Sequence, residues 1–403
     1  MTVPQTLKGF RDFLPPDAIK RDWLRTKIRE IFESWGYDPL ETPTLEPFEL
    51  FAGQIGEDEK LFFQFEDNGG RKVALRYDQT VPACRVVGTY LNTLTLPFKR
   101  YQIQPAYRAE KPQKGRFREF LQCDADIFGI ASPYADAEVI ALSLEVYKQL
   151  GFGKAVIKLN DRKLLKDFPY EAIVAIDKLK KIGPDGVIKT MENKGIPLDK
   201  AKEYLDTITT LKPNETIDII LKTLKEYGFP EDWYEFDSTI ARSFAYSDGP
   251  IWEVEIPAYS AGSVLGGERY DSLIKKIAGV DVPATGFAVG FDRTLEALTE
   301  AGLTPSTQTL TTVLVTVFDE SLASHSLSVA KTLREQGIST ELYTLPSAKL
   351  DKQLKYADKK QIPYAVIIGP EEKDKNVVVL KSMKTKEQQT IPLSKVAEIV
   401  SLK

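Results

Sequence analysis

The chain has 403 residues, which is enough for two or three domains of ordinary size. An apolar share of 42% and a charged share of 28% are typical of a water-soluble protein, and no apolar run of about eighteen residues predicts a membrane span. The formal net charge of −4 excludes a globally basic nucleic-acid binder, so a nucleic-acid partner would have to meet local basic patches.

Cysteine and histidine are scarce, since the chain contains only Cys84, Cys123 and His325. Two cysteines cannot build a disulfide framework, and no Cys/His cluster is available for zinc. One histidine excludes most histidine-based catalysis. Because the first residues also lack the apolar core of a signal peptide, we expect a cytoplasmic protein with reduced thiols, no membrane association and no metal site of its own.

Helical spacing of apolar residues predicts a first helix over Asp17–Trp35, which Gly36 ends. The segment Glu41–Pro47 reads as extended, and its prolines favour the edge of a sheet. Two further strands are predicted on either side of a turn at Asn68-Gly69-Gly70, namely Phe62–Phe65 and Lys72–Arg76.

The most informative segment is a predicted hairpin over Phe98–Gly129. Its first strand closes with Arg108 and Glu110, and its loop is crowded with basic side chains, namely Lys111, Lys114, Arg116 and Arg118. The return strand carries polar residues at alternate positions, which places them on one face: Gln122, Asp124 and Asp126. Arginine forks pair well with phosphate, so the pattern suits a polyphosphate beside a cationic or amide-bearing small molecule. Spacing alone leaves open an ordinary solvated hairpin with surface charges.

Beyond the hairpin, Ser132 and Pro133 have the form of a helix N-cap and first turn, and the helix continues through Leu150 to Gly151. From Asp161 to about Glu235 the chain is helical and rich in lysine, which indicates an inserted helical domain. Strands are predicted to resume at Ile251–Ile256 and Gly262–Leu265, with a helix after Asp292 and a linker over residues 302–309.

The C-terminal unit alternates strands with helices, which predicts a mostly parallel or mixed sheet covered by helices. The predicted strands are Thr312–Phe318, Ser339–Tyr343 and Ala365–Ile368. The predicted helices are Glu320–Gln336, Lys349–Lys360 and a terminal Leu393–Val400.

The hairpin resembles motif 2 of class II aminoacyl-tRNA synthetases, and specifically of the histidyl-tRNA synthetase family. The resemblance rests on Arg108-Ala109-Glu110, on the loop Pro112–Arg116 and on the return Arg118–Gln122. The segment from Trp35 to Pro43 resembles motif 1, which in this family forms the dimer interface, and Gly286–Arg293 resembles motif 3. The resemblance covers essentially the whole chain.

The resemblance implies an α/β protein with an α+β catalytic core built on the antiparallel sheet of class II synthetases. It assigns residues 1–160 and 236–305 to the catalytic domain, 161–235 to a helical insertion and 310–403 to an α/β anticodon-binding domain. It also implies a homodimer through motif 1, with ATP, L-histidine and tRNA(His) as partners.

The reaction implied by the resemblance joins histidine to the α-phosphate of ATP and then transfers it to tRNA. Arg108 and Arg242 would grip the α-phosphate from opposite sides, which makes them the catalytic pair. Glu110 would contact the base or amino region of ATP, Arg293 the γ-phosphate, and Mg2+ the pyrophosphate portion. Lys114 and Arg116 in the loop are expected to contact tRNA.

The expected histidine pocket contains Asp78 and Thr80 at the α-ammonium group and four further residues around the ring, namely Gln122, Asp126, Tyr246 and Ser247. Three positions depart from the family pattern. Ala245 and Ser247 stand where R-G-L-D-Y-Y carries Asp and its second Tyr, and Glu268 stands where a third glycine is more usual. The Tyr replaced by Ser247 contributes to ring recognition in the family, so a water molecule or Tyr246 would have to fill its place.

Two other functions remain open from the sequence. One is the regulatory paralogue of the family, which binds histidine and a phosphoribosyltransferase without charging tRNA. The altered segment from Arg242 to Ser247 favours it, whereas the presence of Arg108, Arg242, Arg293 and a full C-terminal domain opposes it. The other is a synthetase of the same fold that charges a different amino acid, for which Ser247 is the indication.

Overall fold

A computed structural model describes residues 3–53, 61–113, 115–242 and 246–401. Two compact units are present, one formed by Trp23–Thr304 with the residues up to Asp12, and one by Phe13–Asp22 with the residues from Pro305 on. None of the helices in these ranges has both the length and the apolar character needed to cross a membrane.

The described residues form thirteen α-helices and sixteen strands. The helices are α1 (Pro15–Ser34), α2 (Thr80–Thr89), α3 (Pro133–Gln149), α4 (Tyr170–Ile176), α5 (Leu179–Asn193), α6 (Leu198–Thr210), α7 (Glu215–Glu226), α8 (Asp271–Ala278), α9 (Phe291–Glu300), α10 (Ala323–Glu335), α11 (Leu350–Lys359), α12 (Pro370–Asp374) and α13 (Val396–Ser401). The strands are β1 (Asp38–Pro39), β2 (Leu45–Pro47), β3 (Gln64–Glu66), β4 (Lys72–Leu75), β5 (Phe98–Tyr107), β6 (Glu119–Phe128), β7 (Val156–Asp161), β8 (Tyr234–Phe236), β9 (Pro250–Glu255), β10 (Leu265–Arg269), β11 (Ala284–Gly290), β12 (Val313–Val315), β13 (Thr340–Leu342), β14 (Tyr364–Ile367), β15 (Val377–Ser382) and β16 (Gln388–Pro392).

The first unit is organised around an eight-stranded sheet with the order β1-β5-β6-β11-β10-β9-β7-β8. Every pairing from β5 across to β7 is antiparallel, and only the two edge strands β1 and β8 pair in parallel. The predicted antiparallel catalytic sheet is thus confirmed. A smaller sheet of order β2-β4-β3 lies beside it, and its edge strand β2 contains Pro47, as expected for proline.

The two faces of the large sheet differ in character because side chains alternate along each strand. Tyr101, Cys123, Ala125, Phe287 and Val289 point to one side, where they join the main hydrophobic core with residues of α1, α3 and α9. The residues between them on the same strands are charged or amide-bearing, or are the small residues glycine and alanine. We call this second side the polar face.

Three predicted helix boundaries are confirmed together with their physical causes. The Ser132 side chain accepts a hydrogen bond from the backbone N–H of Tyr134, and Pro133 occupies the first turn of α3. Gly36 and Gly151 follow their helices with φ of +77° and +89°, a left-handed conformation that favours glycine.

The predicted strand Gly262–Leu265 is wrong, because the strand observed is β10, Leu265–Arg269. Consecutive glycines read as a turn, but here Gly266 and Gly267 lie inside the strand. A Cβ on Gly267 would lie 2.2 Å from ring atoms of Trp252, and a Cβ on Gly266 would lie 1.9 Å from Nη1 of Arg242. The buried Trp252 ring leaves room only for glycine at position 267, and glycine at position 266 gives space to the Arg242 guanidinium. A smaller shift affects Phe62–Phe65, where the strand is Gln64–Glu66.

Residues 161–235 contain helices α4 to α7, as their composition predicts, but they divide between two cores. Helices α4, α5 and α6 surround a separate cluster that includes Ile173, Val187 and Leu205. Helix α7 instead packs Ile217, Ile220 and Leu224 into the main core. The segment also ends in β8, which pairs in parallel with β7 of the large sheet.

The second unit contains a five-stranded mixed sheet of order β13-β12-β14-β15-β16. Strand β12 pairs in parallel with β13 and β14, whereas β14–β15 and β15–β16 are antiparallel. The predicted alternation of strands with helices is confirmed, with strands shorter than expected. Val313, Val315 and Val366 are fully buried in its core.

Replacing Gly267 by alanine tests the close contact inside β10. We expect Gly267→Ala to lower the free energy of unfolding by about 1 to 3 kcal/mol, because the new methyl group must displace the buried Trp252 ring. Chemical denaturation measures the change. Gly153→Ala is the control, since a Cβ there meets nothing within 4 Å, and a change of equal size in both variants would contradict the explanation.

Candidate active site

The polar face is built from residues that stand opposite one another on neighbouring strands. One row runs Arg100, Asp126, Gly286 and Glu268 across β5, β6, β11 and β10. The adjacent row runs Gln102, Asp124, Ala288 and Gly266 and continues to Glu253 on β9. Three of the four residues that β10 and β11 contribute are glycine or alanine, so the middle of the polar face leaves room for long side chains and ligands.

Asp126 is fixed by two partners. Its Oδ2 lies 2.6 Å from Nη2 of Arg100, and its Oδ1 accepts a hydrogen bond from the Tyr270 hydroxyl. Burial raises the pKa of Asp126, while Arg100 and the Tyr270 hydroxyl oppose that increase. Arg100 is completely buried, and Asp126 with its neighbour Asp124 keeps the pKa of Arg100 above its ordinary value.

The residues on either side of Tyr270 hold it in place. Arg269 forms a buried ion pair with Asp136 of α3, with 2.9 Å between Nη2 and Oδ1. Asp271 accepts hydrogen bonds from Arg269 Nη1 at 2.8 Å and from the Ala284 N–H at 3.0 Å. The three consecutive residues thus anchor the end of β10 and direct the Tyr270 hydroxyl at Asp126.

Asp78 lies in the turn between β4 and α2, where its Oδ1 caps the helix by accepting from the Val81 N–H at 3.1 Å. Its Oδ2 is buried and has no hydrogen-bond partner among the described residues. Burial raises the pKa of Asp78 to about 6. Thr80 is the first residue of α2 and is half-buried.

Gln122 and Asp124 follow one another on the polar face of β6, as the alternation predicted. Gln122 Oε1 and Asp124 Oδ1 are both buried without a hydrogen-bond partner in the described structure. Burial raises the pKa of Asp124 well above its ordinary value. Buried acceptors of this kind are costly unless a ligand donates to them.

Arg108 and Glu110 follow β5 at the mouth of the hairpin loop. The Arg108 guanidinium stacks on the Tyr77 ring at 4.1 Å, and its Nε donates to the Tyr77 carbonyl at 3.2 Å. Glu110 lies 4.0 Å from Arg108 and 3.4 Å from Arg116, whose side chain is 50% exposed. The stacking fixes the plane of the Arg108 fork, whose Nη1 is the atom nearest Glu110.

Arg242 has a positive φ of 44°, a left-handed backbone that costs about 1 to 3 kcal/mol at a residue other than glycine. Neighbouring side chains hold this loop. Asn160 donates to the carbonyls of Ser238 and Ile240 at 2.8 Å, and Arg162 donates to the Arg242 carbonyl at 3.4 Å.

The Arg242 guanidinium lies over Gly266 between two carboxylates, 3.8 Å from Glu253 and 3.6 Å from Glu268. Burial alone would lower the pKa of Arg242, but Glu268 and Glu253 raise it above its ordinary value. The side chain is therefore a permanent cation in a partly buried position.

Tyr246 and Ser247 are buried beside Arg242. The Tyr246 ring packs edge-on against Tyr270, with 6.3 Å between the ring centroids, and the Ser247 hydroxyl donates to Glu268. Burial raises the pKa of Tyr246 well above its ordinary value, whereas Arg242 and Arg108 both act to lower it. Two arginines far apart in sequence thus act on the same buried hydroxyl.

Arg293 occupies the first turn of α9, where Nη1 donates to the Ser263 carbonyl at 2.7 Å. It lies against the hairpin loop, because a Cβ on Gly115 would be 3.1 Å from Cγ of Arg293. Burial lowers the pKa of Arg293, and the neighbouring Arg116 lowers it further. Two adjacent guanidinium groups of this kind suit a polyanionic ligand.

The predicted residues fall into two groups in the structure. Asp78, Gln122, Asp126, Tyr246 and Ser247 are buried around the polar face, and Arg108, Glu110, Arg116 and Arg293 lie at the hairpin loop. Arg242 has contacts with the first group through Glu268. Lys114 and residues 243–245, which include Ala245, lie outside the described residues.

Sequence reasoning missed Arg100 and Glu253. A signal for Arg100 was present, because Arg100, Gln102 and Gln104 alternate on β5 as Gln122, Asp124 and Asp126 do on β6. Glu253 also alternates with the buried Trp252 and Val254, but only the pairing of β9 with β10 brings it to Arg242.

Comparison with known proteins agrees with this architecture over the whole chain. A family model described as histidyl-tRNA synthetase matches residues 9–182, and one described as an anticodon binding domain matches residues 312–402. The histidine–tRNA ligase of Cytophaga hutchinsonii is 35% identical, covering 98% of this chain and 99% of that protein. The corresponding ligase of Christiangramia forsetii is 37% identical, covering 96% and 97%.

The chain belongs to the histidyl-tRNA synthetase family. A crystal structure of histidyl-tRNA synthetase from Nostoc sp. PCC 7120 has the same fold, with a TM-score of 0.85 and 27% identity over 100% of both chains. Family membership makes the chain an aminoacyl-tRNA synthetase, and ATP is a substrate of that family.

The raised pKa of Asp78 predicts that its carboxylate destabilises the free protein. The folded state holds the proton to about pH 6 and the unfolded state only to about 3.8, so Asp78 costs stability progressively between these values and fully above them. We expect Asp78→Asn to raise the free energy of unfolding by up to about 3 kcal/mol near neutral pH, because the amide still caps α2.

Denaturation at several pH values measures this gain, which should shrink as the pH falls towards about 4. Asp319→Asn is the matched control, since Asp319 also caps a helical turn but is exposed and has a lowered pKa. A gain for Asp78→Asn that persists in acid, or an equal gain at Asp319, would contradict the assignment.

Proposed function

We propose that the chain is a histidine–tRNA ligase that activates histidine with ATP and transfers it to tRNA(His). The observation that carries this proposal is that two guanidinium groups from separate segments border the buried carboxylates, since Arg108 stacks on the Tyr77 ring next to Asp78 and Arg242 lies over Gly266 at 3.6 Å from Glu268. The similarity to curated histidine–tRNA ligases along almost the full length supports it independently.

In the first step, a carboxylate oxygen of histidine attacks the α-phosphorus of ATP. The new P–O bond forms as the bond to the bridging oxygen breaks, which gives histidyl-adenylate and pyrophosphate. Negative charge develops on the phosphoryl oxygens, and Arg108 and Arg242 are proposed to stabilise it from two sides. Since both guanidinium groups are held in place before ATP arrives, little reorganisation is needed.

The remaining parts of ATP are proposed to bind at the hairpin loop and at the adjacent start of α9. Arg293 is proposed to bind the γ-phosphate, where the neighbouring Arg116 adds positive charge. Glu110 is proposed to contact the adenine amino group as an acceptor. In the second step a ribose hydroxyl of tRNA attacks the histidyl carbonyl carbon, so that the new ester C–O bond forms, the C–O bond to the phosphate breaks, and AMP leaves together with the hydroxyl proton.

Histidine is proposed to bind on the polar face. The partnerless Oδ2 of Asp78 is suited to the α-ammonium group, with Thr80 beside it at the start of α2. Asp126 and Gln122 are proposed to bind the ring through their acceptor oxygens, with Tyr246 and Ser247 completing the pocket. A site of buried polar groups rejects apolar analogues strongly, because such analogues leave those groups unpaired.

We expect ATP to arrive as its Mg2+ complex. In the described part of the chain no group of three or more His, Cys, Asp and Glu residues is arranged to hold a metal ion. Phosphate oxygens and water would therefore supply most of the ligands, which is usual for Mg2+ in nucleotide sites.

The other proposed partners involve regions away from the reacting atoms. Residues 310–403 are proposed to bind the anticodon of tRNA, in keeping with the family model that matches there. Lys114 and Arg116 are proposed to contact tRNA near the active site. We further propose that the protein is a cytoplasmic homodimer that uses the motif 1 region, from the end of α1 to Pro43.

ATP–pyrophosphate exchange tests the proposed function against its two rivals. We expect exchange to be stimulated by L-histidine and by none of the other common amino acids, followed by transfer to tRNA(His). Stimulation by another amino acid alone would indicate a different specificity. Absence of exchange with every amino acid, in a protein that still binds histidine, would favour the regulatory paralogue.

Substitution of Arg242 tests the role of the second guanidinium. We expect Arg242→Ala to lower the rate of adenylate formation by about 100-fold or more, with Arg242→Lys intermediate, because lysine keeps the charge but loses the fork. Rapid-quench measurement of adenylate gives the rate, and a thermal melt monitors folding. A rate close to that of the wild type in a folded Arg242→Ala protein would remove the proposed role.

A further inference from the structure

The N-terminal segment, which we define as residues 8–12, lies against the hairpin loop. The Gly9 carbonyl accepts a hydrogen bond from the Arg118 N–H at 3.0 Å, and the Lys8 carbonyl accepts one from Nη1 of Arg118 at 3.2 Å. Gly9 has a φ of +90°, a conformation that favours glycine, and a Cβ there would lie 3.0 Å from Cγ of Pro112. The segment and the loop are therefore in direct contact.

Phe10 anchors the N-terminal segment beside the base of the same loop. Its ring packs edge-on against Phe63, with 6.0 Å between the ring centroids. The Phe63 carbonyl accepts from the Leu75 N–H of β4 at 3.0 Å, and the nearby Leu61 carbonyl accepts from the Ala109 N–H at 2.8 Å. The anchor point is thus hydrogen-bonded both to the small sheet and to the start of the hairpin loop.

Arg11 forms a bridge from this segment to two other elements. Its guanidinium carbon lies 3.2 Å from the centroid of the Phe117 ring, and its Nη2 lies 2.7 Å from Oδ1 of Asp292. The Asp292 side chain is only 7% exposed, so the ion pair is largely shielded from water. Because Phe117 belongs to the hairpin loop and Asp292 to the first turn of α9, one guanidinium group joins two elements that are far apart in sequence.

The two residues joined by this bridge are direct neighbours of the proposed phosphate ligands. Phe117 follows Arg116, and Asp292 precedes Arg293. Gly115 of the loop lies against Arg293, since a Cβ on it would be 3.1 Å from Cγ of that side chain. Like charges repel, so the approach of the loop to α9 costs free energy while no polyanion is bound. A cation that stacks on the loop and pairs with an acid on α9 opposes this repulsion.

We propose that Arg11 is a positioning residue for ATP, which holds the hairpin loop against the start of α9 so that Arg116 and Arg293 are in place before the triphosphate binds. The inference rests on the ATP site proposed above. Arg11 acts through Phe117 and Asp292 and not as a phosphate ligand, because its charge is paired with Asp292 and its plane lies on the Phe117 ring. Such preorganisation increases affinity, because the loop need not be ordered on binding.

The first test is the affinity of the full chain for ATP with Mg2+, measured by isothermal titration calorimetry without an amino acid. Arg11→Ala should raise the Kd for ATP about tenfold, and Arg11→Lys should be intermediate, because lysine keeps the charge but loses the planar stack. Arg21→Ala is the matched control, since Arg21 stacks on Phe13 at 3.9 Å, and it should bind ATP as the wild type does. An equal loss of affinity in Arg11→Ala and Arg21→Ala would overturn the inference.

Substitution of Asp292 distinguishes a positioning residue from a direct phosphate ligand. Asp292→Asn removes a negative charge near the proposed triphosphate and releases Arg11 from its ion pair. If Arg11 bound phosphate directly, this variant would bind ATP more tightly than the wild type. We expect it to bind ATP about threefold to tenfold more weakly, and we expect the double variant with Arg11→Ala to be no worse than Arg11→Ala alone. Tighter binding by Asp292→Asn, or effects that multiply in the double variant, would contradict the positioning role.

Limited digestion with trypsin measures the loop itself, because Lys111, Arg116 and Arg118 are cleavage sites within it. Cleavage there should be about tenfold faster in folded Arg11→Ala than in the wild type, and added ATP should slow it. Cleavage at the same rate in both proteins would show that Arg11 does not hold the loop.

ATP–pyrophosphate exchange separates the role of Arg11 from the proposed function. In Arg11→Ala the KM for ATP should rise about tenfold, while the KM for histidine and kcat change less than about threefold. Equal increases in both KM values would indicate a general loss of structure and would rule out the specific role. If histidine stimulates no exchange in the wild type, although ATP binds and the Arg11 variants lose affinity as expected, the proposed histidine specificity fails and the role of Arg11 stands.

Discussion

The arrangement of the site depends on one constraint, which is that several carboxylates are buried together on the polar face of an antiparallel sheet. A buried anion is costly unless a cation or a set of donors compensates it. Arg100 supplies this compensation for Asp126 from the neighbouring strand, and Arg242 supplies it for Glu268 and Glu253 from a loop. Asp78 and Asp124 keep buried oxygens that no described residue satisfies, and these are the positions at which a ligand gains most.

Glycine in the middle strands makes this arrangement sterically possible. Gly286 gives space to the Asp126 carboxylate and Gly266 to the Arg242 guanidinium, so both charged groups extend across strands that contribute no bulk. The opposite face of the same strands is packed with Trp252, Phe287 and Val289 against the core. One face of the sheet therefore packs against the apolar core, and the other is the polar face, which has little side-chain bulk in its middle. Both follow from the alternation of side chains along each strand.

Much of the first half of the site could be predicted because its signals are local. Local sequence predicts the hairpin and the glycine and serine caps of α1 and α3. The alternation of polar residues along the strand predicts the common face of Gln122, Asp124 and Asp126. The position of β10 could not be predicted, since consecutive glycines indicate a turn unless the contacts with Trp252 and Arg242 are known. The contact of Glu253 with Arg242 could not be predicted either, because it depends on the pairing of β9 with β10.

The spread of the site along the chain has a consequence for its synthesis on the ribosome. Arg100 and Asp126 belong to one hairpin and can neutralise each other as soon as that hairpin emerges. Arg242, Glu268 and Tyr270 are translated much later, after the whole helical segment between β7 and β8. Until then Asp126 lacks the Tyr270 hydroxyl, which donates to it in the folded protein.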